Sequence, residues 1–264
     1  MRLFDSHCHL HDDEYLNDLN DVVLRAFAAG VLAEMIVGFN LKSSQGAVTL
    51  ASTRDHFFAA VGVHPHDAKG CSDSVLKTLK ALALDPKVHA WGEIGLDFNR
   101  MFSPRDIQEK WFLRQLEIVD EKNLPVILHE RDSKGRFLEI LRDTHSPDRK
   151  GVVHCFSGTT REMDQYLDLG YHIGITGIIT MEARGRELKE QARRIPADRL
   201  LIETDAPYLT PVPFKNKTRR NEPAFVRSVM FKLAEVRGED PEALSGIIWE
   251  NTCRLYDVDV TELS

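Results

Sequence analysis

Eight short, β-rich apolar runs alternate along this chain with longer stretches of helical periodicity, and this alternation constrains the fold more than any other feature. The runs fall at residues 2–6, 34–39, 57–63, 88–94, 125–129, 151–154, 171–175 and 200–204. Strand and helix in regular alternation build parallel βαβ units. Eight such units in 264 residues predict an α/β protein of the (β/α)8 or TIM-barrel type, read as a single domain over residues 1–264. An open doubly wound sheet is the alternative, but no GxGxxG or GxxxxGK[ST] follows an early strand. The spacing of Ile107, Trp111, Leu113, Leu116, Ile118 and Val119 predicts a helix over 105–122, with Ser103-Pro104 as cap and first-turn proline. Two further helices are expected over about 222–237 and 241–255.

Composition excludes several classes. With 34 Lys+Arg against 41 Asp+Glu the net charge is −7, which argues against a surface that coats nucleic acid broadly and leaves room for a local basic patch. The longest apolar run, 26–33, is far below the roughly 18 residues a membrane helix needs. Acid and histidine occur within the first residues, at Asp5 and His7, and the expectation is a cytoplasmic chain with no membrane partner. Cys8, Cys71, Cys155 and Cys253 form no CxxC pair and read as reduced thiols.

Metal-binding side chains recur where the strands end. In His7-Cys8-His9 the period-two alternation of a strand sets both imidazoles on one face and Cys8 on the other. Glu93, His129, His154 and the stretch Glu203-Thr204-Asp205 occupy corresponding positions in later strands. The carboxyl ends of barrel strands meet on one face, so these residues converge despite their distance in sequence. Four imidazoles and two carboxylates exceed the needs of one tetrahedral ion and predict two divalent cations bridged by Glu93. We expect His7, His9 and Asp205 on one cation and His129 and His154 on the other. Mixed nitrogen and oxygen donors suit zinc, manganese, nickel or, less readily, magnesium.

Other residues near this face carry two readings each. His64 either donates to a phosphate or hydrogen-bonds behind the ligands. Arg131 either grips a phosphate or pairs with Glu203 or Asp132. The basic run Lys215, Lys217, Arg219 and Arg220 lies in a long segment after the last strand, where Arg219 and Arg220 are candidate substrate contacts on an otherwise solvated loop. Phe98, Phe102 and Tyr208 either stack on bases or pack the loops. Glu203 is expected to orient its neighbours, Cys8 and Cys155 to be structural, and His11, Asp12 and Asp13 to cap the first helix. His56, His89, His145 and His172 fall away from this face and receive no role.

The motifs FDSHCHL (4–10), GVHPHDA (62–68), GEIGLDFNRMFS (92–103), PVILHERD (125–132), HCFSGT (154–159), LLIETDAPYLTP (200–211) and RRNEP (219–223) span nearly the whole chain. Together they resemble the TatD family of metal-dependent deoxyribonucleases within the amidohydrolase-like barrels. The resemblance implies metal ligands at His7, His9, Glu93, His129, His154 and Asp205, and keeping the HxH pair that some members lack implies that both metal positions are used. It implies phosphodiester hydrolysis, with 3′ to 5′ removal of nucleotides from the ends of single-stranded DNA or RNA favoured. Asp205 is the expected base for the attacking water, with Glu93 bridging and the protein acting as a monomer. A lactone or cyclic-amide hydrolase on the same barrel is the alternative, though Glu93 stands where many such relatives carry a carboxylated lysine. A non-catalytic metal-binding protein is the third reading.

Overall fold

The computed structural model describes residues 1–259, so the last five of the 264, which the single-domain expectation includes, lie outside the described residues. Its strands are β1 (Leu3–Cys8), β2 (Val31–Val37), β3 (Phe57–Val61), β4 (Val88–Asp97), β5 (Val126–Arg131), β6 (Gly151–Val153), β7 (His172–Ile175) and β8 (Leu200–Ile202). They pair in sequence order, every ladder parallel. A bridge from Cys8 to Ala206 closes the ring, with Asp205 N–H donating to the His7 carbonyl at 2.9 Å and His9 N–H to the Ala206 carbonyl at 2.7 Å. The expected barrel is therefore present. Among the described residues no helix is long and apolar enough to cross a membrane.

The helices that cover the barrel are α1 (Leu19–Ala28), α2 (Leu41–Ala51), α3 (Asp73–Leu82), α4 (Arg105–Lys122), α5 (Arg136–Asp143), α6 (Thr160–Asp168), α7 (Arg186–Ala192), α8 (Val226–Arg237) and α9 (Pro241–Tyr256). Helix α4 has the expected bounds, but Gln108, Phe112 and Gln115 are buried where Ile107 and Leu113 are only partly so. Its cap also differs. Pro104 occupies the N-cap, while the Ser103 hydroxyl accepts from Lys69 N–H at 2.9 Å and donates to the His66 carbonyl at 2.9 Å, fastening two loops instead. Asp12 does cap a turn, accepting from Glu14 N–H at 2.9 Å at the head of the short 3-10 segment Asp13–Tyr15.

Alternation along the strands divides the apolar residues into two layers. Phe4, Met35, Phe58, Ala90, Ile127, Val152 and Leu201 fill the barrel interior, and Trp249 and Tyr256 of α9 pack against them. A second, larger set lies between strands and helices. Burying these layers is the main stabilising term. Two carboxyls share the dry environment: Asp5 and Glu34 are register partners on β1 and β2, and both are almost wholly buried.

Burial pushes the Asp5 carboxyl up to about 8, against the opposing hydrogen bonds from Thr204. A carboxyl that keeps its proton in the fold but releases it on unfolding near pH 4 makes stability fall as pH rises from about 4 to 8. Asp5→Asn supplies a neutral group of the same shape. The expected result is that the urea midpoint of wild type falls across that range relative to Asp5→Asn, the difference levelling above it. Parallel pH profiles of the two proteins would refute the assignment.

Candidate metal centre and nucleic-acid cleft

The carboxyl ends of the strands open on a cavity of about 970 Å³, lined among others by His9, His64, Glu93, His129, His154 and Asp205. The six residues expected to bind metal meet at its floor. His7 Nε2 stands 3.3 Å from His9 Nε2, 3.4 Å from Glu93 Oε2 and 3.7 Å from Asp205 Oδ1, and His9 Nε2 is 3.5 Å from Asp205 Oδ1. On the other side of Glu93, its Oε1 is 2.7 Å from both His129 Nδ1 and His154 Nε2.

This donor set fits divalent cations. Ligand atoms held 2.0–2.2 Å from a shared tetrahedral ion stand about 3.3–3.6 Å apart, close to the spacings around His7 and His9. His9 Nδ1 lies 2.7 Å from the Val37 carbonyl, so it carries the proton and leaves Nε2 with a lone pair aimed at the centre. His129 Nε2 faces Asp97 Oδ2 at 3.5 Å and His154 Nδ1 faces Glu203 Oε1 at 3.4 Å, so carboxylates stand behind both rings while their other nitrogens are turned toward Glu93 at the centre. Burial alone would drive Glu93 toward neutrality, but the imidazoles of His154, His64 and His129 hold its carboxyl well below the usual range. Burial also opposes the charge on Asp205, and the His9 and His154 rings again prevail and keep it ionised.

Local backbone explains how these side chains are aimed. Asp205 adopts a left-handed conformation, φ 58°, which Asp tolerates better than most residues and which follows directly on the short strand β8. Glu203 is fully buried and accepts from Cys155 N–H at 2.5 Å and Ser6 Oγ at 3.3 Å, with His154 Nδ1 at 3.4 Å. There is no spare room around it, since a Cβ on Gly174 would stand 2.8 Å from either Glu203 oxygen. Glu203→Gln is therefore expected to loosen His154 and lower metal affinity by about 10–100-fold with the fold retained. Metal titration followed by calorimetry checks this, and an unchanged affinity would remove Glu203 from the positioning role.

Of the two readings of His64, the geometry favours the hydrogen bond behind the ligands, although the residue also lines the cavity. Its Nδ1 accepts from His66 N–H at 3.0 Å, so Nε2 bears the proton and points at Glu93 Oε1, 3.4 Å away. Burial lowers its pKa to about 4, which keeps the ring neutral. Arg131 lines the cavity and makes neither of the carboxylate pairings weighed for it among the described residues. Arg219 lines the cavity as well. For Arg220 the expected substrate contact gives way to a scaffolding one: its guanidinium grips Asp18 at 2.6 and 2.8 Å, donates to the Glu14 carbonyl at 2.6 Å and lies over the Tyr15 ring. Phe98 packs against the core beneath Arg105, whereas Phe102 and Tyr208 are exposed at the cavity rim. Cys8 is buried behind the sheet, and Cys155 touches the cavity although burial pushes its thiol up to about 12.

Two residues of the cluster escape the sequence reading. Asp97 is buried, its Oδ2 lying 2.7 Å from His66 Nε2 and 3.5 Å from His129 Nε2. Gln108 secures it, accepting from Asp97 N–H at 2.9 Å and donating to the Asp97 and Ser103 carbonyls. The signal was the period of two, Glu93, Gly95, Asp97, in a strand that continues past residue 94.

Comparison with known proteins follows the same lines. A family model described as TatD related DNase matches residues 4–257. The chain is 42% identical over 258 residues to the 3′-5′ ssDNA/RNA exonuclease TatD of Salmonella typhimurium, covering 97% of this chain and 99% of that one. It is 44% identical over 257 residues to the protein of the same name from a Rahnella species, covering 96% and 98%. Among solved structures, the TatD homologue YJJV of Escherichia coli superposes with a TM-score of 0.90 at 30% identity, over 98% of this chain and 99% of that chain. A TatD family hydrolase from Entamoeba histolytica gives 0.88 at 26% identity, over 97% and 98%.

Proposed function

The chain belongs to the TatD related DNase family and is a hydrolase of phosphodiester bonds, and from that premise we propose that it removes nucleotides 3′ to 5′ from single-stranded DNA or RNA. The observation that carries the reading is the set of imidazole and carboxylate donors around Glu93, spaced as ligands are and with His9 locked in the tautomer that presents a lone pair. His7, His9 and Asp205 would hold one divalent cation and His129 and His154 the other, with Glu93 shared and zinc, manganese, nickel or magnesium as candidates. Two such cations supply positive charge against the phosphate and a nucleophilic water at neutral pH.

The residues do the rest. Asp205, ionised and lining the cavity, positions the attacking water and takes its proton. His64 donates to Glu93 and fixes its orientation, as Glu203 does for His154. Arg131 and Arg219 meet the phosphate as charge-assisted donors. The reading takes the protein to act as a monomer built from one barrel domain. The free thiols of Cys8, Cys71, Cys155 and Cys253 suit the cytoplasm. The family match favours this reading over the lactone hydrolase and the non-catalytic protein.

The test compares turnover of a 3′-labelled single-stranded oligonucleotide with that of a lactone and a cyclic amide. Protein stripped by chelation and then reloaded with manganese, zinc, nickel or magnesium is assayed on each. Shortening from the labelled end, lost on stripping and restored by metal, is the expected result. Hydrolysis of the lactone or cyclic amide with the oligonucleotide untouched would overturn the proposal.

A further inference from the structure

The arginines of this acidic chain are mostly committed. Arg25, Arg136, Arg149 and Arg220 are fixed by Glu222, Glu109, Asp120 and Asp18. By contrast, Arg100, Arg131, Arg184 and Arg219 line the cavity, and their guanidinium groups have no hydrogen-bond or ion-pair partner among the described residues. Arg100 follows β4 and Arg131 ends β5, while Arg184 follows β7 and Arg219 follows β8. In a ring ordered β1 to β8 and closed by the Cys8–Ala206 bridge, β4 stands opposite β8. Arg100 and Arg219 thus stand on opposite sides of the mouth, with Arg131 next to the first and Arg184 next to the second.

Each pair is accompanied by an exposed aromatic ring. Phe102, 56% exposed, belongs to the β4 side and meets the edge of His66 at 4.8 Å between centroids. Tyr208, 53% exposed, belongs to the β8 side, with its ring 6.1 Å from that of His9. One ring therefore adjoins the His129 half of the candidate metal cluster, through His66 and Asp97, and the other adjoins the His7–His9 half. Exposed rings are costly to leave in water and are suited to stacking on unpaired bases, as free guanidinium forks are suited to phosphates.

We propose that a single strand lies across the mouth from the β4–β5 rim to the β7–β8 rim, with one nucleotide subsite on each side of the cleaved bond. Phe102 with Arg100 and Arg131 forms one subsite, and Tyr208 with Arg184 and Arg219 the other. This rests on the nuclease reading above and adds to it that recognition is two-sided, so that the departing nucleotide and the remaining strand are both held. Two stacking rings on opposite walls also select single strands, because a paired base has no free face at the point of cleavage.

Steady-state kinetics on a single-stranded oligonucleotide and on bis(p-nitrophenyl) phosphate, a diester without bases or flanking phosphates, test the proposal with metal-loaded protein. The double variants are Arg100→Ala with Arg131→Ala, and Arg184→Ala with Arg219→Ala. Each is expected to lose about thirtyfold in kcat/KM on the oligonucleotide, mainly through KM, and at least tenfold less on the diester. The slope of log KM against log salt should fall by roughly 0.7 for each phosphate that is no longer neutralised. Phe102→Ala and Tyr208→Ala should each cost about tenfold on the oligonucleotide. Arg142→Ala, an exposed arginine of α5 away from the cavity, serves as the unaffected control. A pair whose removal changes nothing would overturn the two-sided cleft in favour of a single end pocket, and equal losses on both substrates would overturn it in favour of an effect on the centre. Wild type that cleaves the diester but leaves the oligonucleotide intact would refute the nuclease reading itself.

Discussion

Asp205→Asn is expected to lower kcat on a single-stranded oligonucleotide by about 10³-fold with the barrel intact. A positioned general base contributes roughly 10²–10⁴-fold, and asparagine keeps the shape of the side chain while losing both its charge and its ability to accept a proton. The residue is not interchangeable with its neighbours. Its backbone is tied to His7 at the barrel closure, 2.9 Å from N to O, and its Oδ1 is the oxygen placed between His7 and His9. The substitution also removes a negative charge that keeps His9 readily protonated against the effect of burial, so competition between protons and metal at His9 shifts with it. Single-turnover kinetics at saturating metal separate the two contributions. A rate that recovers to near wild type when metal is raised would leave Asp205 as a ligand only, and near-normal hydrolysis at ordinary metal would remove it from both roles.

The parts of this centre that could be read from the chain are those governed by strand periodicity. His7 and His9 share a face because they are two residues apart, and Glu93, His129, His154 and Asp205 meet them because parallel barrel strands end on one side. What escaped was governed by contacts distant in sequence. Arg220 reads like Arg219 in the basic run, yet Asp18, about 200 positions earlier, is what holds it away from substrate. Asp5 and Glu34 look like ordinary strand-end charges until β1 and β2 pair and bury both. Ser103 precedes Pro104 as a cap would, but the His66 and Lys69 backbone, brought alongside by the barrel, is the stronger partner. Asp97 was hidden for a more local reason. The run expected over 88–94 stops short of it, whereas β4 continues through Gly95 to Asp97.

That glycine carries the second large effect. Gly95→Ala is expected to destabilise the protein by about 4 kcal/mol and to abolish activity in whatever fraction folds. Gly95 has φ +148°, a conformation L side chains rarely adopt, and a Cβ built there stands 1.9 Å from the His129 carbonyl oxygen, 2.9 Å from its carbon and 3.1 Å from its nitrogen. All three atoms are backbone of the paired strand β5, so no rotamer change relieves the clash. The strands must separate at the point where Glu93 and Asp97 both address the His129 ring. Backbone strain of about 1–3 kcal/mol and overpacking of about 1–3 kcal/mol add at one residue. Gly170→Ala is the comparison. It also has a positive φ, +86°, but nothing lies within 4 Å of the added carbon, so about 1 kcal/mol of conformational strain is all that is expected. Urea denaturation of the two variants in parallel measures the difference, and Gly95→Ala as stable as Gly170→Ala would mean that β4 and β5 are not held at the separation on which the geometry around Glu93 depends.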